Sequence, residues 1–217
     1  MKNIEDEIYS FEEFVKSIDK TKKINPFEKN YQVVITDVLE KLLVNTDIQV
    51  ADVSANKNTE IHNGDNYIGE SGPPDLLLVP QEYRHNNKHD EERNPKPIAA
   101  IEVKNPEERK NVSEFVAKLK NDPIQQLASH LTKNKKVIVT DCIKWCFFEN
   151  NNSDKRVDFM LVESFNLKDD FGEWKVPTKK ENEFVQEPLE IEKDYVGTEC
   201  KEWNELQNYI RKWVLQN

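Results

Sequence analysis

Asp75, Glu102 and Lys104 are the side chains in this sequence whose types and spacing suit chemistry. Asp75 opens the apolar run Leu76 to Val79, and Glu102 follows a second run, Ile98 to Ile101, with Lys104 two positions on. Short apolar runs bounded by turn residues predict adjacent buried strands. Side chains alternate between the faces of a strand, so Glu102 and Lys104 point to one side. A carboxylate and an ammonium at the end of an apolar strand must be paired, solvated or metal-bound. With Asp75 at the head of the neighbouring run, two acids and a lysine can converge on one point. Hard cations such as Mg²⁺ sit on one or two carboxylates, several waters and a substrate phosphate. A lysine beside such a site orients or activates a water, or neutralises charge on an attacked phosphoryl group. That chemistry is phosphodiester hydrolysis. The plain alternative is a solvated Glu102–Lys104 pair at a sheet edge, with Asp75 a turn residue.

Pro74-Asp75, followed 27 residues later by Glu102-Val103-Lys104, resembles the signature of the PD-(D/E)XK nuclease superfamily. A helix-like segment containing Gln125 and Gln126 comes next. Lys136 to Asp141 and Lys144 to Phe148 then look like the strand pair that closes the domain in restriction-type members, so the resemblance spans Phe27 to Phe148. It implies a restriction-endonuclease-like α/β fold, with a mixed central β-sheet flanked by helices. It also implies Mg²⁺, with Mn²⁺ able to substitute, on Asp75, Glu102 and the carbonyl of Val103, and Lys104 acting on the attacking water. In these nucleases an acid on the helix before the sheet often joins the site, and Glu28 holds the matching position. A carboxylate in a first helical turn also simply suits the helix dipole. Gln126 and His130 stand four apart and resemble the family's Q-x-x-x-Y with the tyrosine replaced; a glutamine there can bond a phosphate or the catalytic lysine. The implied function is a divalent-metal-dependent DNA endonuclease of a restriction or DNA-defence system. A junction resolvase or repair nuclease of the same superfamily is the nearest alternative. A non-cleaving nucleic-acid-binding or protein-interaction module on this fold is the alternative of another class, disfavoured because it needs no converging acids.

The elements that must position these residues are legible around them. Residues 4 to about 20 recur apolar at Ile4, Ile8, Phe11, Phe14 or Val15 and Ile18, which predicts a helix with acids early and lysines late. Asn25 and Pro26 read as a cap and a first-turn proline of a second helix over Phe27 to Val44. Ile48 to Val53 reads as the first strand, and residues 54 to 71 as a turn or hairpin tip. Pro80 to Pro97 holds almost nothing apolar and reads as a loop excluded from the core, with His85 and His89 exposed. Val112 to Leu131 reads as a helix kinked at Pro123, and Val157 to Phe165 as a further strand. Glu181 to Glu202 reads as an acidic loop. Glu199 to Leu215 is an amphipathic helix whose stripe, Trp203, Leu206, Ile210 and Trp213, needs a partner: the N-terminal helix, or another module if this helix is a connector. The expected organisation is an N-terminal helix (1–24), a nuclease core (25–165) and an acidic loop with a C-terminal helix (166–217).

The net charge of −10 over 217 residues argues against broad nonspecific affinity for nucleic acid. Residues 104 to 136, however, carry eight basic and four acidic side chains, against 23 and 37 elsewhere. This distribution suits a domain brought to DNA by something else: a methyltransferase, translocase or specificity module or subunit, or a second copy in a homodimer. No run of eighteen apolar residues occurs and the N-terminus is acidic, so the expectation is a cytoplasmic chain with no membrane span. Cys142, Cys146 and Cys200 are an odd number, consistent with reduced thiols. A zinc site of Cys142, Cys146, His85 and His89 is disfavoured because Cys146 lies inside an apolar run.

Overall fold

Ser10 sets where the first helix begins. In the computed structural model, which describes residues 9–54, 72–83, 95–106, 125–150, 159–169, 172–175 and 200–216, helix α1 (Phe11–Ile24) starts after Ser10, whose Oγ accepts the Glu13 N–H at 3.4 Å. The predicted start near residue 4 is therefore corrected: a capping hydroxyl ends the extended entry, and Ile4 and Ile8 lie outside the described residues. Asn25 is the C-cap of α1, and α2 (Glu28–Leu43) begins after Phe27. Pro26 is thus a linker residue and not a first-turn proline. Phe27, expected as the first residue of the second helix, precedes it as the N-cap and is 69% exposed.

Six strands follow: β1 (Ile48–Asp52), β2 (Leu76–Pro80), β3 (Ala99–Val103), β4 (Lys136–Thr140), β5 (Lys144–Asn150) and β6 (Phe159–Asn166). They form one sheet in the order β1-β2-β3-β4-β5-β6, antiparallel throughout except for the parallel pair β3 and β4. Helix α3 (Gln125–Lys133) precedes β4, and α4 (Lys201–Leu215) follows the sheet. This is an α/β fold with a mixed, mostly antiparallel sheet and helices on both faces. The period of two sorts the side chains. Leu76, Leu78, Ala99, Ile101, Ile138 and Phe147 join α1, α2 and α4 in one core, while Leu77, Val79, Ala100, Val137, Val139 and Phe148 pack with Leu127 and Leu131 of α3 in the other.

The C-terminal stripe has its partners inside the molecule. Trp203, Leu206, Ile210 and Trp213 are all buried. The Trp203 ring stacks on Phe14 of α1 with centroids 4.2 Å apart, and its Nε1 donates to the Tyr9 carbonyl at 2.7 Å. Trp213 meets Phe147 of β5 edge-on and donates from Nε1 to Glu149 Oε1 at 2.5 Å. Lys136 Nζ reaches the carbonyls of Trp213 and Gln216 at 2.6 and 2.5 Å, fixing the end of α4 beside β4. The N-terminal helix is therefore among the partners, and this face of α4 is not available to dock another module.

Tyr83 corrects a second expectation. It was included in the loop excluded from the core, yet it is 5% exposed and packs in the α3-side core. A short turn after β2, closed by the Tyr83 N–H donating to the Pro80 carbonyl at 3.0 Å, folds the ring back onto the sheet. Apart from Ser54, the predicted 54–71 turn lies outside the described residues, as do His85, His89 and the kink at Pro123.

Candidate active site

Because β2 and β3 are antiparallel, the start of one lies beside the end of the other. Their last paired residues are Leu76 and Ile101, and Asp75 and Glu102 come next at the same end of the sheet. The Asp75 N–H donates to the Ile101 carbonyl at 3.1 Å, and the Val103 N–H donates to Asp75 Oδ2 at 2.8 Å. Asp75 is thus locked against β3. By strand alternation Glu102 shares the face of Ala100, the α3 side of the sheet, while Val103 is buried on the other side. Lys104 leaves β3 with its N–H on the Thr140 carbonyl at 2.7 Å, and its Nζ donates to Glu102 Oε1 at 2.5 Å. Sequence placed these three residues, and the structure brings them together. Glu102 is 4% and Asp75 8% exposed, which rules out the reading of a solvated pair with a turn aspartate.

Two further groups complete the surroundings. Glu28, half-buried in the first turn of α2, is near enough for its charge to bear on both Asp75 and Lys104. The α2 entrance is tied to the site by buried Asn105, whose Nδ2 donates to the Pro26 carbonyl at 2.8 Å. From the opposite side, His130 of α3 places Nε2 3.2 Å from Glu102 Oε2. The two atoms are close enough for an electrostatic contact, but they are off the line of a straight N–H···O bond, and neither ring nitrogen has a hydrogen-bond partner among the described residues. His130 itself is 1% exposed. The Q-x-x-x-H spacing singled it out, but its approach to Glu102 follows from the packing of Leu127 and Leu131 onto the sheet. Asn105 carried no sequence signal beyond following Lys104. Gln126 lies in the first turn of α3, and its side chain is outside the described residues.

The electrostatics of the two acids diverge. Burial, then the charge of Glu102, then that of Glu28, push the Asp75 carboxyl up to about 7, against the Val103 hydrogen bond and the Lys104 charge. Burial acts on Glu102 in the same direction, but His130 and Lys104 outweigh it and hold its carboxyl below the ordinary value. Burial would lower Lys104, yet the charge and hydrogen bond of Glu102, with Glu28 and Asp75, keep it above the usual lysine value. At neutral pH the site therefore holds an ammonium, a carboxylate and a second acid poised near half-ionisation.

Two buried carboxylates side by side are an oxygen donor set that suits a hard divalent cation, which needs only one or two protein carboxylates. Of the zinc alternative, His85 and His89 lie outside the described residues. Cys142 and Cys146 are buried free thiols, and burial pushes Cys146 up to about 11 and Cys142 well above its ordinary value. Among the described residues no group of three or more His, Cys, Asp or Glu is gathered to hold a metal, nor is any helix long and apolar enough to cross a membrane. No family model, curated protein or solved structure matches this chain.

Proposed function

We propose that this chain is a divalent-metal-dependent endonuclease that hydrolyses DNA phosphodiester bonds in a restriction or DNA-defence system. The observation that carries the reading is the buried pair Asp75 and Glu102 with Lys104 bonded to it at one end of the sheet. Packing alone gives no reason for such a pair. Two acids this close repel, and apolar side chains of the same volume would serve stability as well or better. Asp75 and Glu102 would hold Mg²⁺ or Mn²⁺, with the Val103 carbonyl as the third donor that the family resemblance implies. A bound cation supplies Lewis acidity toward the phosphoryl oxygens.

The chain's own groups divide the remaining work. Lys104 is held protonated by its acidic neighbours, so it donates: it orients the attacking water and offsets charge on the phosphoryl group, but does not take the proton. This narrows the role expected from sequence, where activation of the water by lysine stood open. In the cation-free site burial and the Glu102 charge push the Asp75 carboxyl up to about 7, so binding of a cation there would release a proton near neutral pH. Glu28 adds negative charge at the α2 side and keeps Lys104 in its cationic form.

The test is incubation of the purified chain with supercoiled, linear and branched DNA, with and without Mg²⁺ or Mn²⁺. Cleavage that requires the cation supports the reading, and a preference for branched substrate moves it to a junction resolvase. Cleavage of none of the three defeats it.

A further inference from the structure

Glu102 is gripped from two sides, and the second grip has no part in the chemistry assigned above. Oε1 faces Lys104 Nζ at 2.5 Å and Oε2 faces His130 Nε2 at 3.2 Å. Lys104 belongs to the same strand end as Glu102 and is partly exposed, whereas His130 comes from the helix layer above the sheet and is buried. We propose that His130 is a positioning residue, which holds Oε2 of Glu102 from α3 and so fixes the orientation in which the carboxylate meets its cation.

The backbone of His130 is itself fastened. Its carbonyl accepts from both the N–H and the Nδ2 of Asn134, at 2.8 and 3.0 Å, closing the last turn of α3. One residue on, the Leu131 carbonyl accepts from Asn150 Nδ2 of β5 at 3.0 Å. Leu127 and Leu131, on either side of His130 along α3, are each 1% exposed against the sheet. The imidazole is therefore delivered by a clamped helical turn. A buried carboxylate held by one flexible lysine has rotamer freedom that a second contact removes, and partners that orient a ligating carboxylate matter nearly as much as the ligand itself. Space-filling alone would be served by an apolar ring. A polar ring buried with Nε2 3.2 Å from a carboxylate oxygen carries a desolvation cost that packing does not explain.

The inference rests on the nuclease reading of Asp75, Glu102 and Lys104, and two variants separate the two. His130→Phe keeps a ring of similar size without the nitrogen, and His130→Gln keeps a side-chain N–H at a comparable reach. The first readout needs neither metal nor DNA: the ¹³C resonance of the Glu102 carboxyl in the apo protein. It should move or broaden in His130→Phe and stay near the wild-type position in His130→Gln. The second is Mn²⁺-dependent cleavage, expected to fall about ten- to a hundredfold in His130→Phe, mainly in kcat, and to recover to within a few-fold in His130→Gln. An unmoved Glu102 resonance in His130→Phe overturns the positioning role, even if the wild type cleaves DNA. So does equal impairment of both variants, which marks the ring as packing. A wild type that cleaves nothing while the Glu102 resonance still responds in His130→Phe defeats the nuclease reading and leaves the positioning role standing.

Discussion

Asp75 and Glu102 are two acids of similar chemistry at one strand end, and their different donors separate them. Glu102 has an ammonium on one oxygen and an imidazole nitrogen facing the other; Asp75 has a backbone N–H and the repulsion of its neighbour. The difference predicts a pH dependence for the cation-free protein. The Asp75 carboxyl, at about 7 when folded against an ordinary 3.8, binds its proton more tightly in the native state. Its contribution to stability is full below about pH 4 and is lost as pH rises through 7. Glu102 is shifted the other way, so its contribution is lost only at acid pH, below its ordinary 4.5. Between about pH 4.5 and 7 the wild type should therefore lose on the order of a few kcal/mol from this site, while Asp75→Asn loses none of it and is inactive. Urea unfolding across that range, with chelator present, reads the difference; identical slopes for the two proteins would show that neither burial nor Glu102 raises Asp75. Lys104→Ala should cut cleavage about 10²–10³-fold while circular dichroism still reports a cooperatively folding chain. Its midpoint should be lower, because Glu102 then loses its ammonium partner. Wild-type turnover in that variant would end the assignment of Lys104.

At the scale of elements, α4 closes the core and α3 delivers His130. Trp203 stacks on Phe14 and bonds the Tyr9 carbonyl, so it joins the C-terminal helix to α1 across most of the chain length. Trp203→Ala should cost about 3–5 kcal/mol by urea unfolding, through lost apolar burial and the cavity left behind. A change under about 1 kcal/mol would mean that α4 is a loosely attached connector. This measurement separates the two roles open to the helix on sequence grounds, and the buried stripe places the expectation on the first.

For the whole molecule, charge sets the expectation. The chain carries a net −10, and the basic excess that follows the site, about +4 over residues 104 to 136, is small beside the acidic remainder. Each phosphate neutralised on duplex DNA contributes about −0.9 to the log–log salt slope. With so small an excess beside an acidic remainder, the isolated chain should bind duplex DNA weakly, with a shallow salt dependence. A partner module or second copy would then supply recognition. Fluorescence anisotropy against salt concentration checks this. Tight, sequence-specific binding by the monomer at physiological salt would mark a self-sufficient enzyme. Because the α4 stripe is buried, the case for a partner rests on charge alone.

The sequence by itself determined the elements and the identity of the acids. Strand alternation and helical spacing are local properties of the chain, so Leu76 to Val79, Ala99 to Val103 and the stripe of α4 were legible from residue order. Asp75, Glu102 and Lys104 stood out because charged groups at the ends of apolar strands are costly. Helix starts were less legible: Ser10 and the Asn25–Phe27 linker act through single hydrogen bonds that compete with a continuing apolar period. Only the tertiary structure decided that Asp75 and Glu102 are buried side by side, because that follows from the antiparallel pairing of β2 with β3, which are far apart in the sequence. It alone put Tyr83 in the core, Glu28 within electrostatic reach of Lys104, and His130 against Glu102. These contacts join residues far apart in the chain, and their free energy comes from desolvation and charge at short range, which residue order does not encode until the layers pack.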